Sequence, residues 1–229
     1  MSDATARAHA MRAHLLRLKS LRGAGAPVLE RVTQLKRFQT ARLERTYRDL
    51  REQQRYRKAI AFFVNDLYGP KDFSGRDAAL MRILPAMTRA LPARAVETAT
   101  LAIEIEALSE ELDHRLAAAL DAPLDEESYA RAYRASATPR EREHQIALVV
   151  DVGVRLDALV RMPMVLRTLK LMRGPAKLAR LTSLQDFLER GFHAFAAMDG
   201  AQEFLRTIEE RETALLRRLF SGEEKPFSA

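Results

Sequence analysis

FFVNDLYGPKDFSGRD, residues 62–77, is the stretch on which the reading of the chain turns. N-terminal to it, apolar residues recur at the three- and four-residue spacing of a helix: Val32, Leu35, Phe38, Leu43, Tyr47 and Leu50, then Phe62, Phe63 and Leu67. This spacing predicts one long central helix from about residue 28 to about residue 67. At 1.5 Å per residue it would run about 60 Å and form the spine of the molecule. A kink falls over residues 51–57, where the pattern turns polar. Gly69 and Pro70 then end the helix, the glycine in a left-handed conformation and the proline by lacking an N–H. Ser74 suits the N-cap of the next helix.

Outward from this block the punctuation continues to define helices. Residues 4–22 carry Met11, Leu15, Leu16 and Leu18 and stop at Gly23-Ala24-Gly25-Ala26-Pro27. A helix over residues 75–90 contains Pro85, which would kink it. Pro92 opens the next, to about Leu120, with Leu101, Ile105, Leu108, Leu112 and Leu116 as its apolar stripe. Asp125 caps a short helix to Ala135. Pro139 opens another to about Arg161, with Leu148, Val149, Val152, Leu156 and Leu159 inward. Pro163 and Gly174-Pro175 bound a short helical piece, and Thr182 with Gln185 reads as a capping box. Residues 184–198 and 201–220 complete the set, jointed at Asp199-Gly200. No segment shows the period-two alternation of a sheet, and no repeat of solenoid length recurs. The chain is therefore read as all-α. It is a single-domain multi-helix bundle over residues 1–229, with residues 1–25 as a basic, peripheral N-terminal helix.

Composition narrows the function classes. At 229 residues the chain needs no covalent staples, and 47% apolar with 30% charged residues is a globular profile. There is no Cys, which removes disulfides, thiolate metal sites and cysteine nucleophiles. No apolar run is long enough to span a membrane. Arg7, Arg12, Arg17, Lys19 and Arg22 without a long apolar core do not make a secretory signal. The Arg-over-Lys and Ala bias points to a GC-rich bacterial genome and a cytoplasmic protein, ahead of an organelle transit peptide. The net charge of +7 is segmented: +10 over residues 1–58, −7 over 59–130, +7 over 131–182 and −3 over 183–229. Alternating blocks of sign predict segments that neutralise one another when packed, ahead of one basic face for nucleic acid.

The stretches LERTYRDL (43–50), RYRKAIAFFVNDLYGPKDFSGRD (55–77) and LQDFLERGFHAFAAM (184–198) resemble an uncharacterised family of bacterial all-helical proteins. The FF-x-x-D-L-Y-G-P-x-D-F block is the most recognisable part, and the resemblance extends from about residue 30 onward. It implies an all-helical fold and a bacterial origin. It implies no activity.

No motif in the chain specifies a reaction. The first candidate site is the corner at Tyr68, Lys71, Asp72, Arg76 and Asp77, where a following helix N-terminus would favour a small anionic ligand. A purely structural turn is the competing reading. The second candidate is a di-metal site. Glu111-x-x-His114 and Glu141-x-x-His144 match the Glu-x-x-His spacing of carboxylate-bridged bundles. At 100° per residue, however, His114 falls opposite the Leu101–Leu112 stripe and faces water, while Glu141 continues the apolar face of its own helix. Glu97, Glu104 and Glu111 recur every seven residues and would pair with arginines of the long basic helix. His193, between Phe192 and Phe195, is the single residue on which a haem pocket would rest. Arg37, Arg42, Arg45, Arg48, Arg51 and Arg55 form no helix-turn-helix pattern. The preferred function is a non-enzymatic protein that binds a protein partner or a small anion, with no cofactor. Homodimerisation through the long helix is a further expectation. A metal- or haem-dependent bundle enzyme and a basic nucleic-acid or membrane-surface binder rank below it.

Overall fold

Prolines or capping side chains stand at the starts of the helices that open at Ala26, Ala93, Glu126, Pro139 and Pro163. The computed structural model describes residues 3–67, 69, 74–121 and 123–227. Among them the regular elements are all helical, in the order α1 (Asp3–Arg22), α2 (Ala26–Thr46), α3 (Arg48–Glu52), α4 (Arg57–Phe62), a π-helical turn (Phe63–Leu67), α5 (Ser74–Ala90), α6 (Ala93–Ala119), α7 (Glu126–Ser136), α8 (Pro139–Val160), α9 (Pro163–Leu178), α10 (Thr182–Ala196) and α11 (Gln202–Ser221). Asp125 and Ser128 form a reciprocal capping box on α7. Thr138 and Glu141 form another on α8, with Pro139 in the first turn. The chain is an all-α, single-domain bundle.

The long helix expected over residues 28–67 is broken into pieces. α2 ends at Thr46, Tyr47 leaves helical geometry (φ −112°, ψ 22°), and Gln53 is extended. Residues 51–58, REQQRYRK, carry one large apolar side chain, Tyr56, so nothing anchors a continuous helix there. Bending instead gathers Tyr47, Leu50, Tyr56 and Ile60 into one cluster with Phe195, Met198, Phe204 and Leu205 of the C-terminal pair. The phenols keep their polar ends satisfied: Tyr47 donates to Glu212 and Tyr56 to Glu203, each at 2.7 Å.

The central helix is α6, which packs against α1, α2, α5, α7 and α8. α1 lays Met11, Leu15 and Leu18 against Leu84, Val96, Ile103 and Ala107. Each such buried side chain is worth about 1.5–3 kcal/mol. A second cluster joins α2, α6, α7 and α11 through Val32, Leu35, Leu116, Tyr129 and Leu219. A third joins α5, α9 and α10 through Ala79, Ala176, Leu181 and Leu184. Enclosure on several sides changes the buried stripe of α6. Leu112 and Leu116 of the expected stripe are fully buried and Leu101, Ile105 and Leu108 half-buried, while Val96, Ile103, Glu110 and Ala117, at seven-residue spacing, are buried as well.

Two local expectations change as well. Gly69 is not left-handed, since the positive-φ glycines among the described residues are Gly200 and Gly222. Glycine is required there by proximity, because a Cβ would lie 2.9 Å from the Asn65 carbonyl oxygen. Thr182 lies inside α10, and Gln185 is buried, donating to the Leu169 carbonyl and to Glu189 rather than closing a capping box. The helix expected over residues 75–90 is α5, with Pro85 inside it.

Two variants test these assignments. Gly153 on α8 faces Leu205 of α11 so closely that a methyl would collide with it. Gly153→Ala is expected to lower stability by about 1–3 kcal/mol in urea denaturation. Glu141 is held down to about 2, first by the Thr138 backbone N–H and then by Arg115. Glu141→Ala is expected to cost about 1 kcal/mol at neutral pH, the usual value of a lost cap. A depressed carboxylate stabilises above its unfolded-state value and stops doing so as it protonates. The gap between wild type and variant should therefore be constant above about pH 5 and close as pH falls toward 2.

Candidate functional site

Buried charge is concentrated along α6. Glu110 is 5% exposed and Asp113 9%. Glu110 receives Lys36 of α2 at 2.8 Å and Arg22 of α1 at 3.2 Å. Burial pushes its carboxyl upward, but these two cations overcome that and hold it below the usual range. Arg22 also binds Glu106 at 2.6 Å and pairs with Asp77. The charge blocks of the sequence thus neutralise one another across helices. Glu97 pairs with Arg7 of α1 and Arg155 of α8, and Glu111 with Arg17 of α1 and Arg115. The cations that meet Glu97 and Glu111 come from α1, α8 and α6 itself, not from the segment expected to be the long helix.

Of the corner at residues 68–77, Tyr68, Lys71 and Asp72 lie outside the described residues. Arg76 and Asp77 are buried at the start of α5. Arg76 binds Glu106 and lies over the Phe187 ring, 4.7 Å from its centre. Asp77 pairs with Arg22, and burial followed by the nearby Glu106 raises its carboxyl to about 6. Both residues are engaged in joining α1, α5 and α6.

The Glu-x-x-His residues are placed differently from each other. Arg115 stands between the two glutamates, 3.4 Å from Glu111 and 2.8 Å from Glu141. Glu141 also closes the α8 capping box. His144 is exposed. His114 is half-buried beside Glu110 at 3.7 Å, not facing water, because α6 is covered on several sides, and burial lowers its basicity. Among the described residues no three His, Asp or Glu side chains converge as metal ligands. His193 is exposed on α10. Of the six α2–α4 region arginines, Arg42, Arg45, Arg51 and Arg55 pair with Glu212, Glu126, Glu44 and Glu203.

A cavity of about 120 Å³ lies where α2, the π-helical turn, α6, α7, α8 and α11 meet. Leu43, Phe63, Val64, Val149, Ile208 and Leu216 line its apolar side. Its polar side holds Gln39, Arg42, Ser109, Asp113, Tyr133, Arg142, Gln145 and Glu212. Most of these are paired. Arg42 and Tyr47 both donate to Glu212, Gln39 donates to Asp113 at 2.9 Å, and Gln145 donates to Ser109 at 2.9 Å. Arg142 differs. It is 3% exposed, and its Nη1 donates to Gln145 at 3.2 Å. Its guanidinium lies 4.2 Å from the centre of the Tyr133 ring. Its Nε and Nη2 are buried and have no hydrogen-bond partner among the described residues. Those two nitrogens form one edge of the guanidinium, the edge that grips a carboxylate with two parallel bonds. Burial raises the neighbouring Asp113 carboxyl against the pull of Lys36 and Gln39, which weakens it as a competing anion. Burial likewise holds the Tyr133 phenol in its neutral form.

Sequence reading missed Arg142, although a signal was present. Arg142, Val149 and Leu156 fall at seven-residue spacing, so an arginine, and not Glu141, continues the core face of α8.

No curated protein and no solved structure matches the chain. A family model, described as a domain of unknown function (DUF8198), matches residues 20–226. That match spans nearly the whole bundle, and the chain belongs to this family.

Proposed function

We propose that this protein is a non-enzymatic, cytoplasmic bacterial binding protein that holds a small organic anion in its central cavity. The observation that carries the reading is that Arg142, which lines a cavity walled on its other side by apolar residues, has a buried Nε–Nη2 edge with no hydrogen-bond partner among the described residues. A buried donor left without a partner costs about 1–3 kcal/mol, more when charged. A fold retains such a cost most readily where a ligand removes it. Ser109 positions Gln145, Gln145 holds Nη1, and Tyr133 lies under the guanidinium plane, so the free edge is oriented before any ligand arrives. The chemistry that fits is a carboxylate with a small apolar body: the head takes the guanidinium edge and the body lies against Phe63, Val149 and Ile208. Arg76 and Asp77 support the cavity at a distance, by tying α1 and α5 to α6.

Calorimetric titration with hexanoate, benzoate and inorganic phosphate tests this. Wild type is expected to bind the two carboxylates. Arg142→Met should weaken binding about tenfold or more, the value of a charge-assisted bond. Arg142→Lys should recover little, because a point charge cannot replace the two-bond fork. Arg142→Met should be at least as stable as wild type, because it removes an incompletely bonded buried charge. Unchanged affinity in Arg142→Met, or a loss of several kcal/mol of stability, would assign the residue a structural role instead.

A further inference from the structure

We infer that α9 is a docking helix for an anionic lipid surface. Large aliphatic residues are exposed one at a time on other elements, at Leu16, Val28, Leu67, Val154 and Leu188, but α9 carries four of them. Leu171 is 77% exposed and Leu178 89%, and Met164 and Met172 are exposed as well. Ala176 is the one described residue of this helix that is fully buried. Met164, Leu171 and Leu178 recur every seven residues, so they fall within about 40° of one another on the helix surface at 100° per residue. Arg167, Lys170 and Lys177 flank this stripe, Arg173 lies across the helix from it, and α9 contains no acidic residue. Arg173 is turned to Glu189 of α10. Arg167, Lys170 and Lys177 are exposed and make no ion pair among the described residues.

Charge and chemistry select the occupant. A second copy meeting through this face would bring two rows of cations together, and like charges repel. Nucleic acid would satisfy the cations but leave the exposed leucines in water. The headgroup layer of an anionic bilayer supplies phosphates for Arg167, Lys170 and Lys177. The acyl boundary beneath it accepts Leu171 and Leu178. No helix of the described residues is long and apolar enough to cross a membrane, so binding would be at the surface.

Co-sedimentation of the full chain with vesicles tests this. Wild type is expected to bind vesicles of equal parts phosphatidylglycerol and phosphatidylcholine, to bind phosphatidylcholine alone at least tenfold more weakly, and to be released by high salt. The double variants Leu171→Ser/Leu178→Ser and Lys170→Glu/Lys177→Glu change exposed side chains, so their melting should match wild type while vesicle binding falls at least tenfold. Absence of binding to the anionic vesicles would overturn the inference. So would equal binding by both variants, or self-association of wild type in lipid-free solution that the serine variant abolishes.

Discussion

Glu110 and Asp113 are carboxylates on the central helix of a bundle, and the arrangement of the other helices follows from the need to neutralise them. Removing an ionised carboxylate from water costs several kcal/mol even after relaxation, and the cost is met only by close cations and hydrogen bonds. Lys36, Arg22 and Gln39 meet it here from α2, from the end of α1 and again from α2. Arg22 also reaches Glu106 and Asp77, so the last turn of α1, the first turn of α5 and the middle of α6 are bound through one guanidinium. Apolar burial supplies most of the stability, as in any domain. The charges fix which face of each helix turns inward.

Arg142 stands outside that accounting. It belongs to α8 and makes no ion pair among the described residues, and its core-facing register is set by the capping box at Thr138 and by Val149 and Leu156 further along the helix. Glu212 might have neutralised it, but Glu212 already accepts from Arg42 and Tyr47. Asp113 is bonded to Gln39 and shifted toward its neutral form. The cavity therefore combines apolar walls with one guanidinium edge that no described protein group answers. That combination suits recognition of a carboxylate carried on an apolar body.

Much of the architecture was legible because prolines and caps act locally. Pro92, Asp125 and Pro139 set helix starts whatever packs on them. The blocks of charge also predicted mutual neutralisation, which is what the α1–α6 pairs do. What could not be read depended on tertiary surroundings. The apolar pattern over residues 28–67 is compatible with one helix, and only the C-terminal pair, through Phe204 and Leu205, explains why the chain bends to deliver Tyr47, Tyr56 and Ile60 together. Of the expected stripe of α6, Leu112 and Leu116 are buried; what the pattern did not show is that Glu110 and Asp113 are buried too, because Glu and Asp are assumed outward, an assumption that fails for a helix covered on several sides. Arg142 escaped notice for the same reason: its type suggested solvent, while its seven-residue register with Val149 and Leu156 suggested core.

The most direct test is an anomalous-scattering map from a bromide-soaked crystal of the protein. Bromide has the charge of the proposed headgroup and no body, so it reports on the guanidinium edge alone. The account predicts a bromide peak inside the cavity within hydrogen-bond distance of the Arg142 Nε and Nη2. Bromide found only at exposed arginines, with the Nε–Nη2 edge bonded to a carbonyl or carboxylate of the protein itself, would contradict it.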